Sequence, residues 1–153
     1  MSGQDSHVWV NHLSVHFGVG KGLLGGGSVL KAVDEVSLEI PRGSFFGLVG
    51  ESGSGKTTLG RAILKAAPIS GGEVRYRDED VDFDIGVMSK AELKEYRRRA
   101  QLIFQDPYAA LSPRMTVRDI IAEPLEVMKL TKSRAETDER VREIAAKCRL
   151  NLE

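Results

Sequence analysis

Apolar and polar residues alternate along several stretches of the chain, and this period of two is typical of half-buried β-strands. In the first stretch Leu13, Val15 and Phe17 fall on one face, and polar residues, two of them histidines, fall on the other. We expect that polar face to form a solvent-facing strand edge, with a glycine-rich linker at 18–28 after it. The sequence predicts three such strands, at residues 7–17, 29–40 and 73–77.

Two short runs are apolar without alternation, which is typical of strands buried inside a parallel sheet. They are Phe45 to Val49, entered by a turn at 41–44, and Gln101 to Phe104. After the first run the period changes to that of a helix, whose apolar face carries residues 59, 62, 63 and 66. We expect Pro68 to end this helix.

Three later helices are predicted from their capping residues. Ser89 begins a capping box with Glu92 and predicts a helix over 90–99 with a basic, solvated end at 97–99; contact of that end with phosphate or RNA is the alternative. Thr116 caps a short helix that we expect Pro124 to interrupt, and Ser133 caps a longer one. In the last helix Cys148 shares the apolar face and is predicted to lie in the core, and the acidic segment 78–84 is predicted to be a solvated loop.

Composition and charge narrow the possible functions. The 153 residues are 41% hydrophobic, which is enough for one domain with a core. Lys and Arg together number 22, as do Asp and Glu, so the zero net charge gives no support to nucleic-acid binding. The single cysteine fits a reducing compartment, and no apolar run approaches the roughly twenty residues that span a bilayer. We therefore expect a cytoplasmic protein.

The turn between the first apolar run and its helix carries the clearest chemistry. Residues 50–57, GESGSGKT, match the phosphate-binding pattern G-x-x-x-x-G-K-[ST] without a mismatch. Glycines at 50, 53 and 55 let successive N–H groups point toward an anion at the positive end of a helix. Lys56 is expected to add a charge at the β- and γ-phosphates, and Thr57 to offer its hydroxyl to Mg²⁺.

A second candidate residue follows the second apolar run. Gln105 stands where that run ends, before Asp106 and Pro107. The carboxyl ends of strands are where α/β sheets bind their ligands, so a binding role is one interpretation. A plain turn at the end of a strand is the other, and the residues alone leave both open.

With these segments together, the chain resembles the ATP-binding subunits of ABC transporters, in particular the oligopeptide/dipeptide/nickel importer group. The resemblance is carried by AVDEVSLEI at 32–40, GLVGESGSGKTTLGRAIL at 47–64 and QLIFQDPYAALSPRMTVRDIIAEPL at 101–125. The last segment is the most diagnostic, because a phosphate-binding loop alone defines only a very large superfamily.

The resemblance implies a role for individual positions. The triphosphate of ATP would be held by the loop backbone with Lys56 and two threonines, and Mg²⁺ by Thr57. Gln105 would be the Q-loop glutamine, which touches Mg²⁺ or the attacking water, and Phe17 would stack on adenine. The nucleotide-binding residues implied are Phe17, Gly50, Ser52, Gly53, Ser54, Gly55, Lys56, Thr57 and Thr58.

The resemblance also implies a fold and partners. The fold would be an α/β P-loop NTPase core of the ABC ATPase type, with N-terminal antiparallel strands and the start of a helical subdomain, and the domain would be incomplete. Residues 1–107 would form the strand-rich core and 108–153 the helical part. The partners would be transmembrane permease subunits, a second ATP-binding subunit and, indirectly, a solute-binding protein, with the chain peripheral on the cytoplasmic face of the membrane and no nucleic acid involved.

Several family motifs do not occur in these 153 residues: the Ser-Gly-Gly-Gln signature, the Walker B Asp with its Glu, and the switch histidine. Phosphoryl transfer depends on positioning and metal charge, so we expect very little hydrolysis by this chain alone. The leading interpretation is a subunit that energises import of peptides or similar small solutes. The alternatives are a nucleotide-binding module without turnover and an unrelated P-loop kinase or GTPase.

Overall fold

A computed structural model describes residues 6–19, 28–106, 108 and 111–150. The chain divides into two compact units, residues 1–101 and 102–153. Each unit is described by itself. The predicted assignment of 1–107 to a core and 108–153 to a helical subdomain stays a prediction.

The first unit contains a four-stranded antiparallel sheet with the strand order β2-β1-β3-β4. The three predicted strands are present. Of the linker predicted at 18–28, residues 20–27 lie outside the described residues, and residues 18, 19 and 28 belong to the two strands, which corrects the bounds of the linker. The strands are β1 (Ser6–Val19), β2 (Ser28–Pro41), β3 (Gly71–Asp78) and β4 (Val81–Asp84), and the helices of this unit are α1 (Lys56–Ile63) and α2 (Lys90–Arg99).

The fourth strand corrects the prediction of a solvated loop at 78–84. Asp78 pairs with Val81, so a tight hairpin joins β3 to β4. The carboxylate of Asp82 is held by two arginines of β3, since Arg75 Nε lies 3.0 Å from one of its oxygens and Arg77 Nε lies 3.3 Å from the other. Cross-strand pairs of opposite charge of this kind favour sheet over loop.

The first strand is interior to the sheet, which corrects the prediction of a solvent-facing strand edge. It pairs with β2 on one side and β3 on the other, and its registers shift near His12, whose φ is 47°. Such a bulge changes the face to which later residues point. The core therefore takes Val8 and Val10 before the bulge and Leu13 and Val15 after it.

Neither predicted buried parallel strand is formed. Residues 44–50 and 101–104 have no strand assignment, and their apolar side chains are exposed, with Val49 at 90% and Ile103 at 93%. A buried parallel strand needs strands beside it and helices on both faces of the sheet. Among the described residues the sheet is wholly antiparallel, and neither segment has a strand partner in it.

The two helices of the first unit begin where predicted, but α1 ends early. It ends at Ile63, because Lys65 adopts a left-handed φ of 54° and the N–H of Ala66 donates to the Arg61 carbonyl at 2.7 Å. This Schellman motif, and not Pro68, terminates the helix. The capping box of Ser89 with Glu92 is confirmed in α2, and α2 contacts α1 through Tyr96, whose hydroxyl donates to the Ile63 carbonyl at 2.8 Å.

The second unit contains two described helices, α3 (Val117–Val127) and α4 (Arg134–Lys147), capped by Thr116 and Ser133 as predicted. Pro124 lies inside α3, so the predicted interruption is wrong; the Pro124 carbonyl still accepts the N–H of Met128 at 3.0 Å. Cys148 is exposed at the end of α4, which corrects its predicted place in the core. None of the described helices is both long and apolar enough to cross a bilayer.

Candidate functional site

The glycine loop passes so close to β2 that only glycine fits at its last position. Gly55 has a φ of 92°, and a Cβ built on it would lie 2.2 Å from the carbonyl oxygen of Ala32. Side chains essentially never occupy that space, and L residues avoid that φ. The loop backbone is therefore held against the edge strand of the sheet.

Helix α1 begins directly after this glycine with its N-terminal amides uncapped by any side chain. Gly55 is the N-cap residue, and the first turn carries no acidic residue. The carbonyl of Gly55 accepts the N–H of Leu59 at 2.8 Å, so the helix is formed from its first turn. Its positive end thus presents backbone donors that suit an anion.

The Lys56 ammonium lies inside the loop. Its Nζ donates to the carbonyl of Gly50 at 2.7 Å, to the carbonyl of Glu51 and to the hydroxyl of Ser54 at 3.2 Å. These acceptors are neutral, and within the described part of the chain no carboxylate forms an ion pair with Lys56. Its full positive charge is therefore available to a phosphate group.

A cavity of about 520 Å³ connects this loop to the end of the β1–β2 hairpin. Phe17, Leu30, Lys31 and Ala32 line one wall, and the loop with the first turn of α1 lines the other. Its volume is within the range of about 300–1,000 Å³ that small-molecule sites have. The predicted residues that it brings together are Phe17, Gly53, Ser54, Gly55, Lys56, Thr57 and Thr58.

The other predicted site residues lie elsewhere. Gly50 lines a second cavity of about 420 Å³ that shares Gly55 with the first, and Ser52 lies in the exposed turn of the loop. Gln105 lies in the second unit, where it is exposed. Its predicted contact with Mg²⁺ or the attacking water stays a prediction.

Two charged residues of β2 beside the loop were not singled out from the sequence. Lys31 lines the first cavity and Asp34 lines the second, and their side chains pair, with Nζ 3.2 Å from Oδ2. The hydrogen bond from Lys31 holds the pKa of the Asp34 carboxyl below its usual range, and His16, 3.5 Å away, lowers it further. Both residues occupy ordinary polar positions of a strand, so no signal in the sequence marked them.

A glycine loop that matches the phosphate-binding pattern and runs directly into the first turn of a helix is the arrangement of the P-loop NTPases. The model of the ABC transporter family matches residues 33–152. The chain is 45% identical over 144 residues to the oligopeptide transport ATP-binding protein OppF of Bacillus subtilis (strain 168), which covers 94% of this chain and 44% of that protein. It is 52% identical over 123 residues to the dipeptide transport ATP-binding protein DppF of Lactococcus lactis subsp. cremoris (strain MG1363), covering 79% of this chain and 38% of that protein.

A solved structure agrees with these relatives. The ATP-binding cassette MJ0796, described as a dimer in a post-hydrolysis state bound to ADP and Pi, superposes with a TM-score of 0.70 at 25% identity, over 95% of this chain and 58% of that one. The chain belongs to the ABC transporter family, and its fold is that of the ABC ATPase cassette. It spans less than half the length of the two curated relatives.

Proposed function

We propose that this chain binds Mg-ATP in the cavity between the hairpin and the glycine loop. The main support for this proposal is that one cavity is lined by an aromatic ring at one wall and by the loop with Lys56 at the other. The ring of Phe17, 36% exposed, offers a face for adenine. The loop amides and the ammonium suit the phosphates.

The residues around the loop fit a nucleotide with its metal. A Cβ at residue 55 would close the approach of the loop to β2, and the uncapped first turn of α1 leaves its amides for phosphate oxygens. Thr57 is exposed in that turn, and a hydroxyl at this position of a phosphate-binding loop is an oxygen ligand for Mg²⁺. Gln105 is proposed to contact either the metal or the attacking water. The metal, when bound, neutralises charge on the phosphoryl oxygens.

The biological role that we propose is to energise import of peptides or similar small solutes. It is supported by relatives named for oligopeptide and dipeptide transport. The proposed partners are membrane permease subunits and a second ATP-binding subunit, the latter in line with the dimeric cassette among the structural neighbours, with a solute-binding protein acting indirectly. The chain would then lie on the cytoplasmic face of the membrane.

Of the two alternatives, the interpretation as an unrelated P-loop kinase or GTPase is wrong, because the chain belongs to the ABC transporter family. A nucleotide-binding module without turnover stays the second hypothesis. Phosphate release by the purified chain separates the two functions. A rate above that of the Lys56→Ala variant contradicts the module without turnover.

Binding is tested by titrating Mg-ATP into three proteins: the wild type, Lys56→Ala, and Lys94→Ala as the matched control. Lys94 is an exposed lysine of α2, so its substitution removes the same charge away from the cavity. We expect Lys56→Ala to lose about 1.5–3 kcal/mol of charge-assisted contacts, roughly ten- to a hundredfold in affinity. Equal affinity of the two variants would contradict the proposed site.

A further inference from the structure

The segment of β2 that touches the glycine loop carries a charged pair, Lys31 and Asp34, whose members line the two cavities that share Gly55. The Ala32 carbonyl is the atom that a Cβ on Gly55 would meet. Lys31, the preceding residue, lines the cavity shared with Phe17, and Asp34 lines the second cavity together with Lys56. The pair is therefore part of the surroundings of the loop and not a remote surface ion pair.

Among the described residues, the charge that lines the first cavity is positive. Of the ten described lining residues, Lys31 and Lys56 carry a charge, and Asp34 lines the second cavity. A polyphosphate entering it would meet one cation on each wall.

The lining of the first cavity brings Lys31 near the ring of Phe17. Phe17 pairs with Leu30 across β1 and β2, and Lys31, the next residue of β2, lines the same cavity as the ring. Lys56 belongs to the opposite wall, inside the loop. If the adenine lies on the ring and the terminal phosphates lie in the loop, the phosphate nearest the base is the α-phosphate. An ammonium group has three donors and no acceptor, so it suits a phosphate oxygen.

We propose that Lys31 binds the α-phosphate of the nucleotide and that Asp34 competes with this phosphate for the ammonium group. This inference rests on the proposed function. Asp34 holds Nζ with both carboxylate oxygens, at 3.2 Å and 3.4 Å. Its negative charge also opposes phosphate binding, because it lies beside the same loop. Asp34 therefore lowers the affinity of Lys31 for a phosphate group.

The experiment measures the affinity of Mg-ATP, Mg-ADP and AMP for wild type, Lys31→Ala, Lys56→Ala and the control Lys94→Ala. The Lys31 side chain is 58% exposed, so we expect a loss of about two- to fivefold in the Lys31→Ala variant. The fold-loss of affinity should be the same for all three nucleotides, because each has an α-phosphate. For Lys56→Ala the fold-loss should be largest for ATP and smallest for AMP. Lys31→Arg, which keeps the charge, should restore affinity, and Lys31→Gln should not.

A second variant tests the role of Asp34. Asp34→Asn removes the opposing charge and should raise the affinity for Mg-ATP by about two- to fivefold. Lys31→Ala affinities equal to those of Lys94→Ala, with Lys56→Ala still impaired, would overturn the role of Lys31 and leave the proposed function intact. If Lys31→Ala weakens the binding of ATP but not that of AMP, the assignment of Lys31 to the α-phosphate is overturned. If none of the variants binds Mg-ATP more weakly than the wild type, the proposed function itself is contradicted.

Discussion

Substitution of Gly55 by alanine tests the contact on which the geometry of the loop depends. The new Cβ would lie 2.2 Å from the Ala32 carbonyl oxygen, and the residue would keep a φ of 92°. Left-handed backbone costs an alanine about 1–2 kcal/mol. The clash is with backbone, so β2 or the loop must move, and overpacking of this kind costs about 1–3 kcal/mol more.

Two other glycines provide matched controls that separate the cost of the backbone strain from the cost of the clash. Gly53 has a φ of 82° with nothing within 4 Å of its Cβ position, so Gly53→Ala carries the strain without the clash. Gly60 lies inside α1 with nothing within 4 Å and no positive φ, so Gly60→Ala should stabilise the protein by up to about 1 kcal/mol. The predicted order of stability is Gly60→Ala, wild type, Gly53→Ala and then Gly55→Ala.

Urea unfolding followed by circular dichroism gives the free energy of unfolding for each variant, and calorimetric titration gives the affinity for Mg-ATP. We expect a total loss of roughly 2–5 kcal/mol for Gly55→Ala, with nucleotide binding lost in whatever fraction stays folded. A Gly55→Ala protein as stable as Gly53→Ala, with wild-type affinity, would refute the packing of the loop on β2.

Two further predictions concern the framework of the first unit. Tyr96→Phe removes the hydroxyl that donates to the Ile63 carbonyl at 2.8 Å, and should cost about 1 kcal/mol in urea unfolding, whereas Tyr108→Phe, at an exposed tyrosine, should cost nothing measurable. The hydrogen bond from Arg99 lowers the pKa of the Asp80 carboxyl, so the stability from this pair is present above the unfolded pKa of about 4 and is lost as pH falls through the lower folded pKa. Asp80→Asn should therefore flatten the fall of Tm between pH 4 and 2, and an unchanged acid profile would contradict this.

Local signals in the sequence predicted the helix starts well. The side chains of Ser89, Thr116 and Ser133 cap the first turns of their own helices, and each cap involves residues only three positions apart. The period-two pattern located β1, β2 and β3 for the same reason. The glycine loop was also recognisable, because its motif is contiguous.

Features that depend on distant residues were not predictable in this way. The apolar run at 45–49 satisfies the pattern of a buried strand, yet strand formation needs partners that the described residues do not supply. Lys65 ends α1 in a left-handed conformation that is more usual for glycine. A lysine at this position therefore did not indicate the end of the helix. Lys31 and Asp34 come beside the loop only because Gly55 packs on β2, a contact between residues more than twenty positions apart.

The central claim is that the backbone amides of the glycine loop form a phosphate site. It is tested most directly by following the amide resonances of a ¹⁵N-labelled sample during titration with Mg-ATP. The account predicts large shifts at Gly53, Gly55, Lys56 and Thr57, with the amide of Lys94 on α2 unmoved. Loop amides that stay in place at saturating Mg-ATP, in a sample whose other resonances show a folded protein, would contradict it.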